Sequence, residues 1–211
     1  METITIPLFQ FEELSEEAQK KAISQQRNIN VQNGYWYKDI YNDFCLFCEK
    51  LGVLIDFRSI SFRGFYLQGD GSAFSSLVDV LTLLRSSKKL LNFSKPLINR
   101  KLIKFLGNGC IDICSTTQRL SNTYMRINVD FDYDISLCEK YKTIQDQLLV
   151  LENWVKDVLI IINKRLYNSL QKGYEELLTD RAVRETIENN DYMFTVNGAF
   201  AYDLFSNVGY L

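Results

Sequence analysis

The chain contains no histidine. That removes the side chain most often used as a general base, as the partner of a nucleophilic Ser or Cys, and as a transition-metal ligand. Carboxylate, Lys or Tyr chemistry remains open in principle, but no such set is assembled along the sequence, so the residues read as a protein that is not an enzyme. Net charge is nearly absent too: the formal value of −2 gives no global attraction to nucleic acid or anionic membrane, and any such contact must come from a local patch. No run of eighteen apolar residues occurs, and the opening METITIPLFQ has no basic segment leading into a long apolar core. The expectation is a soluble, cytosolic chain with no membrane partner.

Cysteine is sparse and odd in number, five in all, which argues against a secreted disulfide framework. Cys45 and Cys48 are three apart and Cys110 and Cys114 four apart, and a four-thiolate zinc site would need both pairs to converge. The first pair lies in an aromatic helical pattern and the second in a strand-like run. Packing in the core is therefore the favoured reading, with no metal and no cofactor expected. Repeats, low-complexity tracts and linkers are also missing.

What is present is bulk. Hydrophobic residues make up 46% of 211, with 14 Phe and 12 Tyr, enough for one packed α+β domain spanning the whole chain. After a short β-prone lead-in broken by Pro7, Ser15 caps a helix through AQKKAISQQRN, which Asn33-Gly34 turns. Trp36, Ile40, Phe44, Phe47 and Leu51 recur at helical steps and predict a helix over Tyr35 to Leu51, stopped by Gly52. A strand from Leu54 to Phe62 and another from Ser72 predict an antiparallel hairpin around a glycine-rich loop. A helix follows from Val80, then a short one over Leu97 to Leu106, then strands Cys110 to Arg119 and Thr123 to Asp132. The longest helix begins near Ser136, carries Leu148, Leu151, Trp154, Val155, Val158, Leu159 and Ile162, and is interrupted at Gly173. Thr179 caps the next. Asn197-Gly198 marks a turn before an aromatic tail. The fold expected is an antiparallel sheet with helices packed mainly on one face.

Four groups of residues carry the chemistry. The first is basic: Arg85, Lys88, Lys89, Lys95, Arg100, Lys101 and Lys104 lie in the stretch Val80 to Ile111, which has no Asp or Glu and is interleaved with Phe93 and Phe105. In a nearly neutral chain this asymmetry points to an anionic partner, either RNA or DNA phosphate or an acidic protein face; an ordinary solvated helix face is the plainer reading. Second is the loop Gln68-Gly69-Asp70-Gly71, which with Arg63, Phe65 and Tyr66 either contacts a ligand or partner or is a bulged turn whose Asp70 bonds its own backbone. The row Asp130, Asp132, Asp134, with Glu139 beyond it, either holds a divalent cation or is the polar side of a strand. Finally, Tyr35, Tyr37, Tyr41, Tyr202, Phe205 and Tyr210 form an aromatic set that serves either a partner surface or the packing of the C-terminal segment.

Three phrases also resemble a family of phage and prophage accessory proteins. Phe11 through Ala22 is similar to F-x-x-L-S-x-E-A-Q-x-x-A. The segment Phe62-Arg63-Gly64-Phe65-Tyr66-Leu67-Gln68-Gly69-Asp70-Gly71-Ser72-Ala73-Phe74 resembles F-S-G-F-x-x-Q-G-D-G-x-x-F, with Arg63 where the family has a small residue. The third is Tyr174 to Thr179 followed by Asp191 to Thr195. Between about Val80 and Ile135 no family phrase is matched. The resemblance implies an accessory protein of a phage or mobile element, working in a bacterial cytoplasm by binding and disabling a host protein or ribonucleoprotein, such as restriction or CRISPR machinery. Taken with the missing imidazole and the basic stretch, the expected function is inhibition of a defence complex by covering its surface. The alternative is a protein that binds or sequesters a small molecule such as a nucleotide, with Gln68 and Asp70 reading its polar groups. A carboxylate-dependent hydrolase built on the Asp130 row is the third.

Overall fold

The computed structural model describes residues 5–108, 111–119, 125–133 and 142–206. It is an α+β fold with small antiparallel sheets, and it falls into two compact units: one made from the two ends of the chain, Met1–Tyr37 and Lys172–Leu211, the other from Lys38–Gln171. No helix among the described residues is long and apolar enough to cross a membrane.

The end unit is built on the opening phrase. Strand β1 (Phe9–Gln10) pairs antiparallel with β8 (Met193–Phe194), bringing Phe9 opposite Phe194. Helix α1 (Glu16–Gln25) is capped by Ser15, whose hydroxyl accepts from the Ala18 N–H at 3.3 Å, and Glu16 and Glu17 sit in its positive first turn. Phe11, Leu14, Ala18 and Ala22 are buried together with Ile23, Val183, Ile187 and Phe194. The F-x-x-L-S-x-E-A-Q-x-x-A pattern is thus a packing and capping phrase. The single helix expected through AQKKAISQQRN, to Asn28, ends at Gln25, and a short α2 (Ile29–Gln32) follows. Asn30 fixes that break: its side-chain amide donates to the Leu177 carbonyl at 3.0 Å and its oxygen accepts from the Thr186 hydroxyl at 2.6 Å. Thr186 lies on α7 (Asp180–Asn189), which Thr179 caps as the sequence predicts. Within the expected aromatic tail, a short α8 (Ala201–Ser206) follows β8.

The central unit begins with α3 (Lys38–Leu51), which starts three residues later than expected. Its buried residues are Tyr41, Phe44, Cys48 and Leu51, so the inward stripe is turned from the predicted one; Trp36 precedes the helix, and Ile40 and Phe47 are only half-buried. The expected strand Leu54 to Phe62 is two short strands, β2 (Val53–Ile55) and β3 (Ser61–Arg63). Asp56 separates them by capping a 3-10 turn, accepting from the Arg58 N–H at 3.1 Å. β3 pairs with β4 (Gly71–Ala73), and β2 pairs with β5 (Ser75–Val78), so the predicted hairpin exists but bends into two sheets. β5 continues the larger sheet into the long hairpin β6 (Ile111–Arg119) and β7 (Met125–Tyr133), in the order β2-β5-β6-β7.

One face of that sheet is buried. Val53, Ser76, Val78, Ser115 and Val129 lie inside, and the Ser76 and Ser115 hydroxyls bond each other at 2.6 Å. Leu54 and Leu77, paired in register, remain 54% and 57% exposed on the other face. The longest helix of the unit, α6 (Lys142–Leu177), has Leu148, Leu151, Val155, Val158, Leu159 and Ile162 buried. This helix runs straight through Gly173, where an interruption was expected; a lone glycine costs a helix only ~1 kcal/mol relative to alanine.

Asn163 on α6 anchors the smaller sheet. It is 1% exposed, donates from its side-chain amide to the Ser72 carbonyl at 3.0 Å, and accepts from the Ser72 hydroxyl at 2.8 Å. Asn163→Leu takes the side-chain donor from the buried Ser72 carbonyl and leaves the Ser72 hydroxyl only the Asn163 backbone carbonyl, 3.2 Å away; it is expected to cost about 2 kcal/mol, read as a lowered urea midpoint.

Candidate partner-binding surface

Helix α4 (Val80–Leu91) starts at Asp79, whose carboxylate accepts from the Leu81 and Thr82 N–H groups at 3.0 and 3.2 Å. Partial burial pushes the Asp79 pKa up, but the bonds from the Thr82 hydroxyl and these two amides, with Arg85 nearby, outweigh it and leave the pKa below its ordinary value. A depressed carboxylate stabilises the fold above its unfolded pKa of about 4 and loses that contribution as pH falls through the folded value. Asp79→Ala is accordingly expected to cost about 1 kcal/mol near neutrality. The gap between the two proteins should narrow as the medium is acidified, which thermal melts across that range will show.

Val80, Leu83, Leu84 and Ser87 are buried, a stripe at steps of three, one and three that faces the core. The same spacing leaves Arg85, Lys88 and Lys89 on the exposed side. Lys88 and Lys89 sit in the last turn, where the helix dipole favours cations. Asn92 ends the helix in the left-handed region, at φ 54°, its N–H returning to the Ser87 carbonyl.

The connection to α5 (Arg100–Gly107) is braced from α6. The Trp154 indole N–H donates to the Ser94 carbonyl at 2.7 Å, and the Asn99 N–H donates to Gln147 Oε1 at 2.7 Å. Asn99 then caps α5, accepting from the Leu102 N–H at 2.8 Å. Leu102 and Leu106 are buried and α5 packs against α4, while Arg100, Lys101 and Lys104 are exposed. α5 begins three residues later than the predicted start at Leu97, because Pro96 and the cap at Asn99 hold 92–99 out of the helix. Leu97 consequently projects from the braced connection, 93% exposed, between Lys95 and Arg100.

All seven predicted basic residues are therefore exposed on two packed helices and the loop between them. Among the described residues, no carboxylate lies within salt-bridge distance of Arg85, Lys88, Lys89, Lys95, Arg100 or Lys104. Elsewhere Arg and Lys are used differently: Arg27 pairs with Asp180, Lys156 with Glu152 and Arg181 with Glu185. The asymmetry visible in sequence is thus a set of exposed cations on neighbouring elements, six of them with no carboxylate within salt-bridge distance among the described residues.

The glycine loop has another geometry. Asp70 Oδ2 accepts from the Tyr66 N–H at 2.8 Å and the Leu67 N–H at 2.7 Å, so the carboxylate is turned onto its own loop. Gly64 allows this at φ +53°, since a Cβ there would fall 2.5 Å from that carboxylate. Phe65 is an anchor, stacked on Phe62 and 5.6 Å from the Tyr167 ring. Burial, Asp70 and Tyr66 together hold the Tyr167 pKa above its usual value. Arg63, Tyr66 and Gln68 face solvent. The loop docks on α6 at Asn163 and Tyr167, whereas the basic connection docks at Gln147 and Trp154, at least about 14 Å nearer the start of that helix.

The other groups contribute less. Asp130 and Asp132 stand on β7, while Asp134 and Glu139 lie outside the described residues. Among the described residues no cluster fit for a metal occurs. Cys45 and Cys48 are free thiols on α3, and burial raises the pKa of both; Cys110 lies outside the described residues. Of the aromatics expected at the surface, Tyr35 and Tyr202 are exposed and Tyr37 is half-buried. Tyr41 is a correction: it is 4% exposed, its ring 5.8 Å from Phe57, because the α3 stripe is rotated toward it. Tyr210 lies outside the described residues, as does the side chain of Phe205.

With its small antiparallel sheets and long packed helix, the chain is an α+β protein in class. A family model described as a domain of unknown function (DUF8835) matches residues 36–180, well over half of the chain, and the chain belongs to that family. The matched span takes in the basic helices and the glycine loop, and leaves out the opening phrase at Phe11–Ala22 and the closing one at Asp191–Thr195. No curated protein and no solved structure matches the chain.

Proposed function

We propose that this protein is a non-catalytic interaction protein that covers an anionic face of a bacterial macromolecular complex with its basic helix pair, and in doing so inhibits that complex. One observation supports the reading: seven exposed cations lie on α4, α5 and the braced connection between them, and for Arg85, Lys88, Lys89, Lys95, Arg100 and Lys104 no carboxylate among the described residues is within salt-bridge distance. Paired surface ions add little to stability, and unpaired like charges repel, so such a cluster has its use outside the fold. The absence of imidazole from the sequence favours binding over catalysis. The resemblance of three phrases to phage and prophage accessory proteins favours a host defence complex in the bacterial cytoplasm as the target, with RNA or an acidic protein groove as the face it presents.

Capture on the immobilised chain from bacterial lysate tests this. The wild type should retain a stoichiometric macromolecule that the variant with Lys88, Lys89, Lys101 and Lys104 changed to Glu does not. Equal retention by both proteins would remove the proposal.

A further inference from the structure

The large sheet ends at β7, a strand of nine residues whose one strand neighbour among the described residues is β6. β2, β4 and β5 are only three or four residues long. A long edge offers alternate backbone N–H and C=O groups to another strand, and chains that leave one open normally blunt it. The sequence of β7 has a symmetry that suggests what takes up this edge. Read outward from Val129, MRINVDFDY has Asn128 and Asp130 flanking it, then Ile127 and Phe131, then Arg126 and Asp132, then Met125 and Tyr133.

We propose that β7 pairs antiparallel with β7 of a second copy of this chain about a two-fold axis at Val129, joining two four-stranded sheets edge to edge. In that register all nine positions pair. Arg126 stands opposite Asp132 of the second copy at both ends, Ile127 opposite Phe131, and Asn128 opposite Asp130. Because alternate positions of a strand lie on opposite faces, apolar odd positions meet apolar ones and polar even positions meet polar ones. Such an interface is isologous, as closed dimers require.

A second observation points the same way. Within the β6–β7 hairpin Asp132 stands directly opposite Asp112, a like-charge pair that a sheet does not favour. The proposed pairing brings Arg126 of the second copy to the other side of Asp132 and offsets that repulsion. Shifted registers lose this match. An axis at Asp130 sets that residue against itself, an axis at Phe131 sets Asp130 against Asp132, and an axis at Asn128 leaves Asp132 and Tyr133 unpaired.

Sedimentation velocity on the full chain gives the test. The wild type should sediment as a dimer whose dissociation depends on concentration. Arg126→Asp and Asp132→Arg should each give a monomer with unchanged circular dichroism, and the double variant should recover the dimer. Asp132→Arg is the discriminating single change, because it replaces a like charge by an opposite one at the register position facing Asp112 and so should not weaken the hairpin while it abolishes the dimer. Amide exchange in β7 should slow as wild-type concentration rises. A wild type that remains monomeric with β7 exchange independent of concentration would overturn the proposal, as would a dimer undiminished in both single variants.

Discussion

Gly198→Ala is expected to remove about 4 kcal/mol of stability from the unit formed by the two chain ends. Gly198 closes the turn after β8, donating its N–H to the Thr195 carbonyl at 2.9 Å, while the Thr195 N–H reaches the Ala199 carbonyl at 2.9 Å and the Thr195 hydroxyl accepts from the Ala199 N–H at 3.1 Å. It does so at φ +77°, where a side chain alone costs roughly 1 kcal/mol. The larger part comes from α1. A Cβ on residue 198 would overlap the Ala18 carbonyl oxygen and lie 2.9 Å from its carbon. Ala18 is itself in the core, 5% exposed, so the helix backbone cannot swing aside as a flexible side chain would. Urea unfolding should show a clearly lowered midpoint, whereas Asn197→Ala, on the exposed side of the same turn, should shift stability by no more than about 1 kcal/mol. Equal midpoints for Gly198→Ala and the wild type would show that the turn is not seated against α1 in this way.

Reversing Lys88, Lys89, Lys101 and Lys104 to Glu should weaken binding to the captured partner by at least about 100-fold. Each substitution changes the local charge by two, so the surface passes from attracting an anionic face to repelling it. Replacement by Gln should fall between. Wild-type affinity should drop steeply as salt is raised, and the Glu variant should have lost most of that dependence. Folding should survive at a cost of about 1–2 kcal/mol from acidic residues in the last turns of α4 and α5, since Lys88, Lys89 and Lys104 have no carboxylate partner within salt-bridge distance among the described residues and all four side chains are exposed. An affinity unchanged by reversal, measured on variants that still melt cooperatively, would mean that the cations are merely solvated.

The parts of the fold legible in sequence were those set by local chemistry. Ser15, Thr179 and the Asn197-Gly198 turn act where they stand, and the apolar spacing of α6 and the alternation of β7 are visible within a single window. What escaped was set by distant partners. Asp56 splits the long strand because the sheet bends there, with the Asp56 N–H given to the Ser75 carbonyl at 2.9 Å. Gly173 stays helical inside a helix of 36 residues whose long packed face carries it. Tyr41 turned inward because a stripe predicted from α3 alone depends on where the helix starts, and a shift of one position moves the face by about 100°. At the candidate surface the cations could be counted from the sequence, since charge composition needs no partner. Their bracing could not, because Gln147 and Trp154 lie some fifty residues beyond the backbone groups they hold. Leu97 would have been taken for an ordinary helical leucine. Only the cap at Asn99 and the preceding Pro96 leave it projecting among the basic residues.

The most direct test of the central claim is an amide hydrogen-exchange footprint of the chain with and without its captured partner. Slowed exchange across α4, the 92–99 connection and α5, with the glycine loop at 64–70 unchanged, is the expected result. Protection confined to the glycine loop, or to neither surface, would contradict the account and move the binding face away from the basic helices.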